Sequence, residues 1–197
     1  MDFVTSNKPT LKSFNVIRTF NDVKLDDNVK PLVICDIDHT FIRCSQNLDH
    51  FRNILYSDYK DLPNIIKNNL IKDSDREAID LMNRAYNMGF VRQTDPEGFN
   101  NMLQNINRLN GKLIFLTARG IISHSKTISD LKKAGFENPE NYDIHYTNCS
   151  ITKGEYIKKN NLIDGYEHIS FIDDYPSFLE SVQNIYPQIN CYLFTYD

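Results

Sequence analysis

Two carboxylates stand at the end of an apolar run in the stretch PLVICDIDHTFI, where Asp36 and Asp38 flank a single isoleucine. Like charges this close are costly unless a cation or hydrogen-bond donors bind them. Other polar side chains also follow apolar runs or open a helical segment, namely Thr117, Lys153, Asp173 and Asp174. Carboxylate oxygens suit Mg²⁺, a carboxylate can act as a nucleophile, and a lysine and a hydroxyl can stabilise the charge on a transferring phosphoryl group. These residues are the parts of a magnesium-dependent phosphoryl-transfer site.

The elements that must position these residues alternate along the second half of the chain. Short, β-rich apolar runs predict strands at LVICDI, KLIFLTA, YDIHYT, HISFID and CYLFTY. Helices are predicted between the later strands at ISHSKTISDLKKAG, KGEYIKKNNL and PSFLESVQNIY. This alternation predicts an α/β fold with a parallel sheet flanked by helices. Ligands of such sheets bind outside the carboxyl ends of the strands, so we expect the polar residues to meet at one edge.

The segment between the first two core strands has a different pattern. Apolar residues at three- and four-residue spacing predict helices in LDHFRNILYSDY, LPNIIKNNLI, SDREAIDLMNRAYNMG and GFNNMLQNINRLN. Ser74 is the expected N-cap of the third helix, and Gly89 follows its end. We therefore predict a core of residues 1–44 and 111–197 with a small helical cap at residues 45–110. Within the core, residues 1 to about 30 are expected to form a lead-in with a short helix.

Composition restricts the class of protein. The chain has 197 residues, of which 41% are hydrophobic and 24% charged, as in a globular protein with a buried core. A net charge of -4 does not favour a nucleic-acid partner. The four cysteines form no C-x-x-C pair, which argues against a zinc knuckle and favours a reduced setting. No signal-like segment and no run near the ~18 to 20 apolar residues of a membrane span is visible, so we expect a cytoplasmic protein without a membrane partner.

The motifs DIDHT, LTARG, Lys153 and FIDD, in this order, resemble those of the haloacid dehalogenase (HAD)-like phosphohydrolase superfamily. The resemblance covers roughly residues 30 to 45 and 111 to 197. The helical segment between the first and second motifs lies where that superfamily carries its first-position cap. The resemblance implies a Rossmann-like parallel sheet, Mg²⁺ as the cofactor and a phosphorylated substrate.

The resemblance also implies roles for individual residues. Asp36 would be the nucleophile, and Asp38 would protonate the leaving oxygen and then activate the hydrolytic water. Thr117 would donate a hydrogen bond to the transferring phosphoryl group, and Lys153 would neutralise the nucleophile and the phosphate. Asp38 and Thr40 match the phosphatase form of the first motif, because a halide leaving group needs no acid whereas an alkoxide does.

The same resemblance implies a metal site. Asp36, Asp173 and the backbone carbonyl of Asp38 would bind Mg²⁺, and Asp174 would be either a further ligand or a residue that orients Lys153. Arg119 has two interpretations, as a contact to a second phosphate or carboxylate of the substrate or as a partner of an acidic residue. His39 either contacts the substrate or points away from the metal.

Each motif alone has a plainer explanation. Asp-x-Asp at a strand end is often a turn or an N-cap, and a single lysine is often a surface residue. The four motifs together favour a Mg²⁺-dependent phosphatase that hydrolyses a small phosphate monoester through an aspartyl-phosphate. Two alternatives stay open, a nucleotide or nucleic-acid-end phosphatase on the same fold and a non-catalytic HAD-like binding module. Arg43 and Arg92 flank the insert and could face its cleft.

Overall fold

The computed structural model describes residues 14–47, 50–51 and 64–196, and it describes only the backbone of residues 64–75. The strands are β1 (Asn15–Ile17), β2 (Pro31–Cys35), β3 (Ile42–Cys44), β4 (Val91–Gln93), β5 (Lys112–Thr117), β6 (Asp143–Tyr146), β7 (His168–Asp173) and β8 (Asn190–Phe194). The helices are α1 (Asn64–Asn87), α2 (Pro96–Arg108), α3 (His124–Lys133), α4 (Lys153–Lys159) and α5 (Pro176–Ile185).

A six-stranded parallel sheet forms the centre of the molecule, with the strand order β1-β8-β7-β2-β5-β6. Strand β2 lies between β5 and β7, and all five of its residues are buried. A strand covered on both faces needs a continuous apolar run, which is why Leu32, Val33 and Ile34 follow one another without polar alternation. The predicted α/β fold with a parallel sheet flanked by helices is confirmed.

Apolar side chains cover both faces of the sheet. On one face, α2 buries Phe99, Met102 and Ile106 in the same cluster as Phe115. On the other face, α4 and α5 bury Ile157, Leu179 and Val182 with Leu32, Ile34 and Phe171. Helices on both faces leave the carboxyl ends of the strands uncovered, and these ends carry the polar residues.

Two elements differ from the sequence-based prediction. The expected helix in the lead-in is wrong, because Asn15–Ile17 form strand β1, which pairs in parallel with β8, and a 3₁₀ turn follows at Phe20–Asp22. The pairing satisfies the backbone of β8, which would otherwise be an open sheet edge. The second and third predicted cap helices are one continuous helix, α1, so Ser74 lies inside a helix and is not an N-cap.

The border between the predicted core and cap also contains an element that the sequence did not indicate. Strands β3 and β4 form an antiparallel pair of three residues each, and α1 joins the two strands through residues that are partly outside the described ranges. The first predicted cap helix falls mostly on residues outside the described ranges. The division into core and cap stays a prediction. In the structure, α2 packs on the sheet and α1 contacts β3. No helix in the described part of the chain is long and apolar enough to cross a membrane.

Candidate active site

The strand ends bring the predicted residues to one edge of the sheet. Asp36 directly follows β2, and its backbone N–H donates to the carbonyl of Ile172 on β7 at 2.9 Å. Asp173 is the last residue of β7, and Thr117 is the last residue of β5. Because β2 pairs with both of these strands, three chain segments that are distant in sequence end side by side.

Lys153 enters this edge from the first residue of α4. A capping box fixes the start of that helix, since the Thr152 side chain accepts from the Glu155 backbone N–H and Glu155 accepts from the Thr152 backbone N–H. The Lys153 side chain is 1% exposed, and its Nζ donates to Asp36 Oδ1 at 2.5 Å and to Asp173 Oδ2 at 2.6 Å. The lysine therefore bridges the ends of β2 and β7.

The charges in this buried group do not balance. Burial raises the pKa of Asp36 and of Asp173, and the single Lys153 ammonium counteracts this only in part. Burial alone would lower the pKa of Lys153, but the two carboxylates outweigh it and raise that pKa, so the ammonium form is favoured. Two carboxylates thus share one positive charge, and an additional cation would stabilise the group.

The carboxylates can provide a divalent cation with ligands. One oxygen from each of Asp36, Asp173 and Asp174 lies within 4.8 Å of the others. Thr40 Oγ1 donates to Asp174 Oδ1 at 3.1 Å and accepts from the Asp174 backbone N–H, which holds that residue beside the first motif. An all-oxygen set with an excess of negative charge fits Mg²⁺, which prefers carboxylates and water. The Asp38 side chain is not part of this group, and its predicted contribution through the backbone carbonyl stays a prediction.

Asp38 is held by a different set of partners. Arg119 Nη2 donates to Asp38 Oδ1 at 2.7 Å and Nε donates to Oδ2 at 3.0 Å, while Thr117 Oγ1 donates to Oδ2 at 3.2 Å. The hydroxyl of Tyr86 on α1 also donates to Oδ1. Burial alone would raise the pKa of Asp38, but the hydrogen bonds and charge of Arg119 outweigh it and lower that pKa. Of the two interpretations of Arg119, the pairing with an acidic residue is the one present.

The remaining nitrogen of the Arg119 guanidinium, Nη1, forms hydrogen bonds with helix α3. Arg119 Nη1 donates to Thr127 Oγ1 at 3.1 Å and to Asp130 Oδ2 at 3.0 Å. Asp130, whose side chain is 2% exposed, also accepts from Lys126 Nζ at 2.5 Å. Asp130 was missed by sequence reasoning, although a carboxylate beside Leu131 on the buried face of α3 was a usable signal. No comparable signal distinguishes Tyr86 from the other aromatic residues of the cap.

His39 lies on the wall of the cleft above Asp38. Its φ is +62°, a left-handed conformation that turns the chain between Asp38 and Thr40. The His39 ring stacks on Tyr86 with 5.2 Å between centroids, and its Nδ1 lies 3.1 Å from the hydroxyl of Tyr196. The cleft has a volume of about 510 Å³ and is lined by Asp38, His39, Asn83, Tyr86, Asn87, Arg119, Ser123 and Lys126. A contact between substrate and His39 or Arg119 stays a prediction.

Solved structures resemble this fold. A hydrolase from Streptococcus pneumoniae TIGR4 aligns with a TM-score of 0.54 at 14% sequence identity, over 85% of this chain and 94% of that chain. An archaeal beta-phosphoglucomutase from Pyrococcus sp. Strain ST 04 aligns with a TM-score of 0.46 at 15% identity, over 79% of this chain and 83% of that chain. The likeness to the hydrolase shows that the chain shares its fold, a Rossmann-type parallel sheet flanked by helices. A search of curated proteins finds no match.

A family of sequences gives a second comparison. The family described as "Protein of unknown function (DUF2608)" matches residues 12–153, which is more than half of the chain. The matched region contains Asp36, Asp38, Thr117 and Lys153 and ends before Asp173. The chain therefore belongs to the DUF2608 family.

Proposed function

We propose that this protein is a Mg²⁺-dependent phosphatase that hydrolyses a small phosphate monoester through an aspartyl-phosphate on Asp36. The observation that carries the proposal is the buried bridge from Lys153 Nζ to Asp36 and Asp173, at the ends of β2 and β7. A lysine shared by a nucleophile and a second carboxylate is suited to neutralising an incoming phosphate. The fold shared with a hydrolase supports the same reaction class.

In the first step, a carboxylate oxygen of Asp36 attacks phosphorus. The Asp36–phosphorus bond forms as the ester oxygen–phosphorus bond breaks, and protonated Asp38 gives its proton to the leaving oxygen. Lys153 and the Thr117 hydroxyl stabilise the charge on the transferring phosphoryl group. Asp36, Asp173, Asp174 and the Asp38 backbone carbonyl would hold Mg²⁺, which would supply further positive charge to the phosphoryl oxygens.

In the second step, water attacks the phosphorus of the aspartyl-phosphate and gives a proton to Asp38. The bond between Asp36 and phosphorus breaks, which releases inorganic phosphate and restores the Asp36 carboxylate. The pairing with Arg119 favours the ionised form of Asp38, which is the form that accepts this proton. The first step needs the protonated form of Asp38. Its ion pair with Arg119 must therefore weaken when substrate binds, so that the carboxylate can take up a proton.

The cleft supports a small substrate. Tyr86 from α1 forms part of its wall, so that the cap side limits the space above Asp38. Arg119 and Lys126 are the basic residues among those lining the cleft, and each is paired with a carboxylate. The nucleotide or nucleic-acid-end alternative would favour a track of unpaired basic side chains, which the described lining of the cleft does not provide.

A panel of small phosphate esters, nucleotides and 5′-phosphorylated oligonucleotides, assayed with Mg²⁺ and with EDTA, tests this function. We expect the wild type to release phosphate from small esters only with Mg²⁺, and Asp36→Asn to lower kcat by at least about 10³-fold. Asp143→Asn makes the same chemical change at a side chain that is 56% exposed on β6, and it should keep wild-type turnover. Equal turnover by Asp36→Asn and the wild type would rule out the mechanism. Absence of both turnover and Mg²⁺ binding in the wild type would favour the binding module.

A further inference from the structure

Two arginines face each other on the strands that border the cap. Arg43 on β3 and Arg92 on β4 are direct partners in the antiparallel register. Directly opposite residues share a face of the sheet, with Cβ atoms about 4.5 to 5.5 Å apart. Like charges in this arrangement destabilise a sheet, so the pair requires a compensating interaction.

The described residues do not supply this compensation. In the described parts of the chain, no carboxylate lies within ion-pair distance of either arginine. The Nε atom of Arg43 is buried and has no hydrogen-bond partner there. Burial lowers the pKa of Arg43, and the charge of Arg92 lowers it further. Among the described residues, the pair therefore combines a buried donor that has no partner with positive charge that no carboxylate compensates.

The Arg43 guanidinium contacts an aromatic ring. Its central carbon lies 4.7 Å from the centroid of the Tyr196 ring, a cation–π contact. A guanidinium carries five N–H donors, and the Nε donor of Arg43 has no hydrogen-bond partner among the described residues, so it is available to an oxygen anion. The contact with Tyr196 thus leaves this donor unpaired.

The same contacts connect the arginines with the cleft. The Tyr196 hydroxyl lies 3.1 Å from Nδ1 of His39, and His39 lines the cleft above Asp38. Strand β3 also begins two residues after the first motif, DIDHT. A hydrogen bond joins the two segments, in which the His39 backbone N–H donates to the carbonyl of Ile42 at 2.8 Å. The arginine pair is therefore close to the catalytic edge but separate from the Lys153 group.

We propose that Arg43 and Arg92 form a second anion site, which binds a phosphate or carboxylate group. Two guanidinium groups can donate several charge-assisted hydrogen bonds to such a group, and it would remove the repulsion between them. The group has two possible sources, a second anionic substituent of the substrate or a separate anion in solution.

The source can be identified with a matched pair of esters, in an assay that rests on the proposed function. Phenyl phosphate and 4-carboxyphenyl phosphate differ by one carboxylate. If the anion belongs to the substrate, Arg92→Gln raises KM for the carboxylated ester by about tenfold and leaves KM for phenyl phosphate unchanged. If the anion is a separate one from solution, Arg92→Gln has the same effect on KM for both esters, either no change or a change by the same factor.

The site itself is tested without turnover, by titrating inorganic phosphate in EDTA at constant ionic strength and following the unfolding temperature. Without a metal, Asp36, Asp173 and Asp174 outnumber Lys153, so the catalytic edge repels phosphate. We expect phosphate to stabilise the wild type, and the apparent affinity to fall by at least about tenfold in Arg43→Gln and in Arg92→Gln. Arg108→Gln, at a side chain that is 57% exposed and pairs with Asp27, is the matched control and should keep wild-type affinity.

The exposed position of Arg92 keeps the test interpretable if Arg43→Gln does not fold. At low salt without phosphate, Arg92→Gln should also unfold at a higher temperature than the wild type, because it removes the like-charge pair. Phosphate binding by Arg92→Gln that equals that of Arg108→Gln would overturn the proposal, whether or not the protein hydrolyses any ester.

Discussion

Arg119 binds Asp38 through two nitrogens, with Nη2 at 2.7 Å from Oδ1 and Nε at 3.0 Å from Oδ2. The third nitrogen, Nη1, is anchored to Asp130 on α3. Arg119, which is bound to α3, and Tyr86 on α1 thus hold the Asp38 side chain. Asp36, two residues away, is held by Lys153. The two aspartates of one motif therefore have different ion-pair partners.

Replacing Arg119 by lysine should uncouple Asp38 from α3. A lysine keeps the charge but lacks the planar guanidinium, whose nitrogens donate to Asp38 and to Asp130 at the same time. The variant would therefore no longer hold Asp38 and Asp130 together. We expect kcat to fall by at least about tenfold, since general acid–base catalysis depends on the geometry of the proton donor. Steady-state kinetics with Arg108→Lys as the matched control measures this, and an unchanged kcat in Arg119→Lys would contradict it.

Removing the hydroxyl of Tyr86 tests the contact between α1 and the first motif, DIDHT. Tyr86→Phe keeps the ring that stacks on His39 but deletes the hydrogen bond to Asp38. We expect kcat to fall several-fold and the free energy of unfolding to fall by about 1 kcal/mol. Tyr142→Phe, in the cluster with Phe115 and Phe136, is the control for loss of a hydroxyl elsewhere. The contact has no role in catalysis if both variants keep wild-type kcat.

Mg²⁺ should stabilise the folded protein through the carboxylate group. At one hundred times its Kd, a ligand adds about 2.7 kcal/mol to the free energy of unfolding, which corresponds to a rise in Tm of roughly 5 to 10 °C for a chain of this size. Asp173→Asn removes one charge from the group and should weaken Mg²⁺ binding at least about tenfold. Thermal unfolding over a series of MgCl₂ concentrations measures both, with Asp143→Asn as the control. Equal Mg²⁺ dependence in the two variants would place the metal elsewhere.

Gly154 should tolerate no side chain, because α4 and α5 approach closely beside it. A Cβ atom there would lie 2.1 Å from the backbone carbonyl oxygen of Ser181. We expect Gly154→Ala to lower the free energy of unfolding by about 1 to 3 kcal/mol and to lower activity by displacing the adjacent Lys153. Gly120→Ala, whose Cβ would meet only ordinary contacts from 3.5 Å, is the control for stability in urea unfolding. Equal stability of the two variants would show that α5 can move away.

Half-buried His145 on β6 should make stability depend on pH. Burial lowers its pKa in the folded protein, so the unfolded chain binds a proton at this residue at a higher pH than the folded protein does. The free energy of unfolding should therefore fall as the pH decreases through the ordinary histidine range. Urea unfolding at pH 7 and pH 5 should show a smaller fall in His145→Gln than in the wild type, and an equal fall would contradict this assignment.

The edge of the sheet that carries the candidate site was predictable because it depends on local patterns. A short, β-branched apolar run such as LVICDI favours a strand buried on both faces, and the end of a parallel strand is a fixed place in the fold. The residues Asp36, Thr117 and Asp173 therefore converge as their positions in the sequence indicate. Lys153 converges with them because the capping box of Thr152 and Glu155 determines where α4 starts.

The missed features depend on contacts between distant segments. Ser74 has the residue type of an N-cap, but the surrounding residues are helical on both sides and continue through it. Strand β1 is only three residues long, and pairing with β8 determines its conformation more than its own sequence does. The pairing of Tyr86 with Asp38 spans 48 residues, and no short-range pattern encodes it. For Arg119, a pairing with an acidic residue was one of the two interpretations, but its partner Asp38 is 81 residues away and could not be identified from the sequence.

The central position of β2 has a consequence for synthesis on the ribosome. Lys153 follows Asp36 by 117 residues, and the neighbour strand β7 emerges later still. Until then the nascent chain carries an apolar strand without one of its two neighbours and a carboxylate without its lysine. Such non-local pairing forms slowly, so a chaperone that shields LVICDI during translation would protect this protein from aggregation, and the candidate site would be complete only after β7 has been made.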